Sequence, residues 1–224
     1  WELQEGISKH STDPENPIMG AKDYNFPSLE AQVADCADGI AYNAHDLDDG
    51  ITSGLLNLQQ VRKLALWREH EKTLDQKYKN LDFKLKKYQI VRQIINNLIT
   101  DFRKTTLKNL KANKIQSVDD VRCAKKRIAG FSTLMSGKNG ELKKFLHQHL
   151  YNHRKVKRME FKSEICLTGL FKAFTANSAL LPESVQRAGS HDSLQRRICD
   201  YISGMTDRYA ISEYKKLYSP GEKD

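Results

Sequence analysis

The sequence predicts an all-α fold, and three observations predict it. The five prolines stand at positions 14, 17, 27, 182 and 220, so the stretch from Ser28 to Leu181 lacks the residue that most reliably ends a helix. Across that stretch apolar residues recur at spacings of three and four, the period of a helix with one buried face. Residues that start helices, such as Ser28 and Ser117, stand just ahead of the periodic segments. A chain of 224 residues is long enough for one full core and nothing in it forces a second, so a single compact unit over residues 1–224 is expected.

The elements follow in order. Residues 11–27 (STDPENPIMGAKDYNFP) are rich in turn formers and read as a loop. Ser28 is placed to cap a helix beginning at Leu29, and Asp48-Asp49-Gly50 is placed to end it, with glycine supplying a left-handed residue. A short helix is expected over Leu58 to Glu69. From about Asp75 to Asn113 the chain is dense in Leu, Ile, Tyr and Lys and reads as one long helix or two in line, with Lys77, Lys79, Lys84, Lys86 and Lys87 forming a solvated face or contacting nucleic acid. Ser117-Val118-Asp119-Asp120 caps a helix reaching Ala129. Ser136-Gly137-Lys138-Asn139-Gly140 reads as a turn, after which Glu141 begins a helix rich in histidine. A further helix runs from Lys155 to Phe174, and a last one covers Ser193 to Arg208.

Composition narrows the class of function. The 37 Lys and Arg exceed the 28 Asp and Glu, for a net charge of +9, a field that attracts polyanions. The four cysteines at 36, 123, 166 and 199 have neither CxxC pairing nor regular spacing, which excludes a zinc knuckle or disulfide framework and fits a reducing, cytoplasmic setting. No apolar run approaches the length of a membrane span, and no secretory leader opens the chain. The first residue is Trp1 rather than methionine, so the chain is expected to be the C-terminal part of something longer.

The segment ADCADGIAYNAHDLDDG, Ala34 to Gly50, carries most of the chemistry. Turning about 100° per residue places Leu29, Val33, Cys36, Ala37, Ile40, Ala44 and Leu47 in one arc, the expected core face. Asp35, Asp38, Tyr42, His45, Asp46 and Asp49 gather opposite, with Asp38, Tyr42 and Asp46 at i, i+4, i+8 in one row. Like charges so spaced repel, and the segment itself supplies no lysines to cancel them. A cation or a hydroxyl-rich ligand would relieve the repulsion; a plain solvated acidic face is the alternative.

A second cluster, Lys143, Lys144, His147, His149, Tyr151, His153, Arg154 and Lys155, crowds one helix and its exit. His149 and His153 at i, i+4 have metal-ligand spacing, but the neighbouring cations oppose a dication and favour polyphosphate, whose oxygens accept charge-assisted hydrogen bonds. A basic helix end on the surface remains the other reading.

Four stretches resemble one family. Asp38-Gly39-Ile40-Ala41-Tyr42 followed by His45-Asp46-Leu47-Asp48-Asp49-Gly50 is similar to the ADDIAY…HDLEDG signature of the deoxyguanosine triphosphate triphosphohydrolases, which are HD-domain metal-dependent phosphohydrolases. Trp1 to His10 (WELQEGISKH), Leu146 to His153 (LHQHLYNH) and Asp200 to Ala210 (DYISGMTDRYA) resemble three of its helices in family order. The resemblance implies a multi-helix HD-type fold that lacks its N-terminal helices here. It also implies hydrolysis of a deoxynucleoside triphosphate to deoxynucleoside and triphosphate, with a divalent metal such as magnesium or manganese. Of the family's four metal ligands only the late aspartate is present, as Asp38, and the histidine that serves as general acid is absent, so the isolated chain is expected to be inactive. His45-Asp46 and His191-Asp192 are HD dipeptides in the wrong place, since both follow Asp38.

By the same resemblance Tyr42 and Asp46 read the deoxyribose, Asp46 accepting from the 3′-hydroxyl and the Tyr42 ring disfavouring a 2′-hydroxyl. Tyr151 lines the sugar and base, while Lys143 and His153 face the phosphates; His147, from the same cluster, is a further substrate-binding candidate. Gly39 replaces an acidic residue, and a glycine in mid-helix implies a close approach or a local irregularity. Partners implied are a deoxynucleotide substrate, further copies of the chain, and single-stranded DNA or a regulatory deoxynucleotide. The competing expectation is a nucleotide- or nucleic-acid-binding regulatory module without catalysis, although no helix-turn-helix, zinc finger or aromatic β platform is present.

Overall fold

The computed structural model describes Gly6, residues 25–187 and residues 192–222. The described residues form helices and connecting segments with no strand among them, so the all-α class holds. Packing divides the chain into two compact units, Trp1–Asn152 and His153–Asp224, where the sequence reading set out one. The stretch Trp1 to His10 lies outside the described residues apart from Gly6, as does His191.

In the first unit α1 spans Leu29–Thr52, α2 Leu58–Val61, α3 Ala65–Lys77, α4 Phe83–Ala112, α5 Val118–Arg122 and α6 Thr133–Leu146. A π-helical turn, His147–Tyr151, continues α6. Helix α1 packs on α4 and α6, and α3 packs on the same two helices. Ile40, Ala44, Leu47, Trp67, Ile90, Ile94, Leu98, Leu142 and Leu146 are buried between them, each large side chain contributing roughly 1.5–3 kcal/mol.

Several helix ends differ from expectation, each for a specific reason. Ser28 caps α1 as expected, its Oγ accepting from Ala31 N at 3.3 Å. Gly50, however, does not end α1. A Cβ there would lie 2.5 Å from Leu56 Cδ1, so this glycine permits close packing, and the left-handed residue is Gly54 at φ 69°. The helix expected over Leu58 to Glu69 is two pieces, because the Glu141 carboxylate accepts from Ala65 N at 3.0 Å and starts α3 afresh. Helix α4 begins at Phe83, where Asp82 accepts from Lys84 N at 2.9 Å, and Asp75 to Lys77 belong to α3.

Ser117 and Asp120 form a reciprocal capping box, but α5 stops at Arg122, short of Ala129. The amides of Ile128 and Ala129 turn instead to Gln32 Oε1, at 3.2 and 3.1 Å. The turn expected at Ser136 to Gly140 is helix. Ser132 starts α6, accepting from Met135 N at 3.2 Å while its own N and Oγ donate to Asp101 at 2.8 and 2.7 Å. A start fixed from another helix outweighs the turn propensity of two glycines.

The second unit holds α7 (Arg154–Ala176), a 3₁₀ turn at Ser178–Leu180, α8 (Glu183–Arg187), α9 (Leu194–Ser203) and α10 (Asp207–Tyr218). Cys166, Leu170, Phe174, Leu181, Ile198 and Ala210 form its core. The single helix expected from Ser193 to Arg208 breaks after Ser203, and Thr206 recaps the chain by accepting from Tyr209 N at 3.3 Å.

Candidate functional site

Helix α1 keeps its two faces apart, though not everywhere with the expected residues. Ile40, Ala44 and Leu47 are buried, whereas Val33 and Ala37 are exposed and Gln32 takes the buried place in the first turns. The amide of Gln32 makes that burial tolerable, since its Nε2 donates to Pro27 O at 2.9 Å while its Oε1 serves two backbone N–H groups. The acidic row faces away from the core as expected. Asp38 and Tyr42 are exposed and Asp46 is half-buried.

The π-helical turn brings the second cluster onto this row. Tyr151 donates its hydroxyl proton to Asp46 Oδ2 at 2.5 Å, a short, charge-assisted bond. The Tyr151 ring lies 5.9 Å from that of Tyr42, tilted by 43°, and His147 meets it edge-on at 6.3 Å and 85°. Burial, then the bonds to Asp46 and Tyr42, push the Tyr151 hydroxyl far above the ordinary tyrosine range, so it is the donor at neutral pH. Asn152 Nδ2 approaches His147 Nδ1 at 3.5 Å. Thus Tyr42, Asp46, His147 and Tyr151 form one cluster.

The acidic residues of α1 are less bare than the local sequence implies. Arg127 reaches Asp35 at 2.5 Å, and the buried Lys87 lies 2.6 Å from Asp48 and donates to Thr52 Oγ1 at 2.6 Å. Both cations come from distant segments, so neither was visible in the helix itself.

The other expected residues have settings of their own. Lys143 is exposed on α6, one turn before His147. His149 stacks on Phe145, ring centroids 4.7 Å apart. His153 opens the second unit and caps α7, its Nδ1 accepting from Lys155 N at 3.2 Å. Gly39 sits in regular helix, and a Cβ there would meet nothing within 4 Å, so neither a close approach among the described residues nor irregularity accounts for it. Among the described residues no three His, Cys, Asp or Glu side chains gather as a metal shell. A carboxylate such as that of Asp38 is the hard oxygen donor that magnesium and manganese take.

Comparison with known proteins decides the kinship. Residues 129–216 match the phosphohydrolase-associated domain. The whole chain is 41% identical to a deoxyguanosinetriphosphate triphosphohydrolase-like protein of Geobacter sulfurreducens, of which it covers 59%. The chain is a relative of the deoxyguanosinetriphosphate triphosphohydrolase-like proteins. Likewise named proteins of Bordetella pertussis and Thiobacillus denitrificans are each 40% identical over 99% of the chain, which covers 58% and 60% of them. The chain thus spans about three fifths of the length of the curated relatives it matches. No helix among the described residues is long and apolar enough to cross a membrane.

Proposed function

We propose that the protein containing this chain hydrolyses deoxynucleoside triphosphates to deoxynucleoside and inorganic triphosphate, with the Tyr42, Asp46 and Tyr151 cluster as its sugar-binding side. The observation that carries this reading is the Tyr151–Asp46 hydrogen bond beside the Tyr42 ring. A carboxylate that accepts from one hydroxyl beside a pair of aromatic rings suits a ribose edge, with one acceptor for a sugar hydroxyl and flat surfaces for the ring.

In this scheme Asp46 accepts from the 3′-hydroxyl, and the Tyr42 ring packs under the sugar and leaves no room for a 2′-hydroxyl. Tyr151 closes the sugar and base side. Lys143 and His147 offset charge on the triphosphate, and His153 joins them on the resemblance alone. Water attacks the α-phosphorus, the bond to the 5′-oxygen breaks, and that oxygen takes a proton to leave as the nucleoside hydroxyl. A divalent metal, when bound, polarises the α-phosphate oxygens. Asp38 is proposed as one of its ligands, the resemblance supplying no other within this chain, so the chain by itself is proposed to be inactive.

Steady-state kinetics of the whole protein with dGTP test this. Asp38→Ala is expected to lower kcat by about a hundredfold or more, the scale of losing a transition-state electrostatic group, and Tyr42→Ala to raise KM. Unchanged kinetics in both would refute the assignment.

A second reading, a regulatory module that binds nucleotide or nucleic acid, draws on one observation. Lys104, Lys108 and Lys111 line a groove of about 580 Å³ on α4. Retention of single-stranded DNA that falls steeply with salt, and that Lys104→Gln with Lys108→Gln abolishes, would favour it.

A further inference from the structure

The geometry points to Tyr151 as a positioning residue: its hydroxyl holds the Asp46 carboxylate in the one orientation that reads the 3′-hydroxyl of the sugar, so the choice between 3′-hydroxyl and 3′-hydrogen depends on an atom that need not touch that hydroxyl. The inference rests on the sugar-binding role proposed above for Asp46.

Asp46 stands half-buried on α1. An aspartate there has two oxygens of equal chemistry and a torsion that exchanges them, so by itself it presents no fixed acceptor. Tyr151 removes that freedom. Its hydroxyl takes Oδ2 at 2.5 Å, which leaves Oδ1 as the oxygen offered to a ligand. The tyrosine is itself held. Asn152 N bonds back to His147 O at 3.3 Å, the i to i+5 pattern of the π turn, and the Tyr42 and His147 rings flank the Tyr151 ring at 5.9 and 6.3 Å. A π turn costs more than the α-helix it interrupts and is found where a side chain must be aimed. Here the side chain it carries is the one on Asp46.

Substrate discrimination follows from this. A carboxylate already fixed and already partly desolvated loses an acceptor contact outright when the ligand lacks its hydroxyl, whereas a mobile one turns back to water. Tyr151 therefore sharpens selection without supplying the contact.

The test compares kcat/KM of the whole protein for dGTP and for 2′,3′-dideoxyguanosine triphosphate. Tyr151→Phe keeps the ring and its packing and deletes only the hydroxyl; Asp46→Asn serves as the reference for loss of the acceptor. Wild type is expected to prefer dGTP by about tenfold or more, and Tyr151→Phe to bring the two within about threefold, as a site robbed of its hydroxyl-reading geometry would. Damage to packing lowers both substrates alike and leaves the ratio where it was. A ratio preserved in Tyr151→Phe but lost in Asp46→Asn overturns the positioning role and leaves the proposed function standing. A wild-type ratio near one, or no turnover of dGTP, overturns the sugar-binding reading and the inference with it.

Discussion

Gln32 Oε1 accepts from the backbone N–H of Ala129 at 3.1 Å, deep in the first unit and 97 residues away in sequence. Ile128 N shares the same oxygen, and Gln32 is fully buried. One amide side chain thereby anchors the start of the acidic helix to the segment that leads into α6. Gln32→Leu would fill the volume but orphan two buried donors. An unfolding free energy lower by on the order of 3 kcal/mol is expected from urea denaturation, since each unsatisfied buried group costs about 1–3 kcal/mol. A loss under 1 kcal/mol would mean those amides find water instead.

Lys87 and Asp48 anchor the other end of α1. Lys87 is 5% exposed and lies 2.6 Å from the Asp48 carboxylate. Removing one partner strands the other, so Lys87→Met and Asp48→Leu should each destabilise by about 2–4 kcal/mol. The double variant should recover much of that. A double-mutant cycle by urea unfolding reads the coupling, and strict additivity would show that the two groups do not depend on each other.

Gly39 offers the opposite sign. It lies in the interior of α1, and an added methyl group meets open space. Gly39→Ala should raise the unfolding free energy by about 0.5–1 kcal/mol through the lower entropy of its unfolded chain. If turnover of dGTP falls in this more stable variant, the empty volume beside Asp38 is kept clear for ligand.

His70 gives the chain a pH dependence near neutrality. Burial, opposed by a hydrogen bond that the ring donates to Gln93, holds its imidazole below the ordinary range, and Asn97 Nδ2 lies 3.1 Å from its Nε2. A lowered folded pKa means that the unfolded chain takes up the proton first as pH falls. The stability is therefore complete above the unfolded value of about 6.5 and declines below it. Unfolding free energy measured from pH 7.5 to 5 should show this decline, and His70→Gln should flatten it. An equal slope in both proteins would assign the effect elsewhere.

Spacing within one helix was legible; contacts between distant segments were not. Ser28, Ser117 and the Asp38–Tyr42–Asp46 row follow from local chemistry and helical period. Tyr151 joined them only through the family resemblance, because 105 residues separate it from Asp46 and a π turn has no sequence signature. Three of the misplaced helix ends share one cause. Glu141 starts α3 from 76 residues away, Asp101 fixes Ser132 at the start of α6, and Gln32 draws the amides of Ile128 and Ala129 out of any extension of α5. Tertiary hydrogen bonds set these boundaries, overriding local propensity. The acidic face misled for the same reason, since Arg127 neutralises Asp35 from outside the helix.

Phosphorus NMR of dGTP incubated with the whole protein and manganese tests the central proposal most directly. The predicted spectrum gains the signals of inorganic triphosphate as deoxyguanosine forms in equal amount, and Asp38→Ala abolishes both. Release of orthophosphate or pyrophosphate in place of triphosphate, or unchanged dGTP, would contradict it.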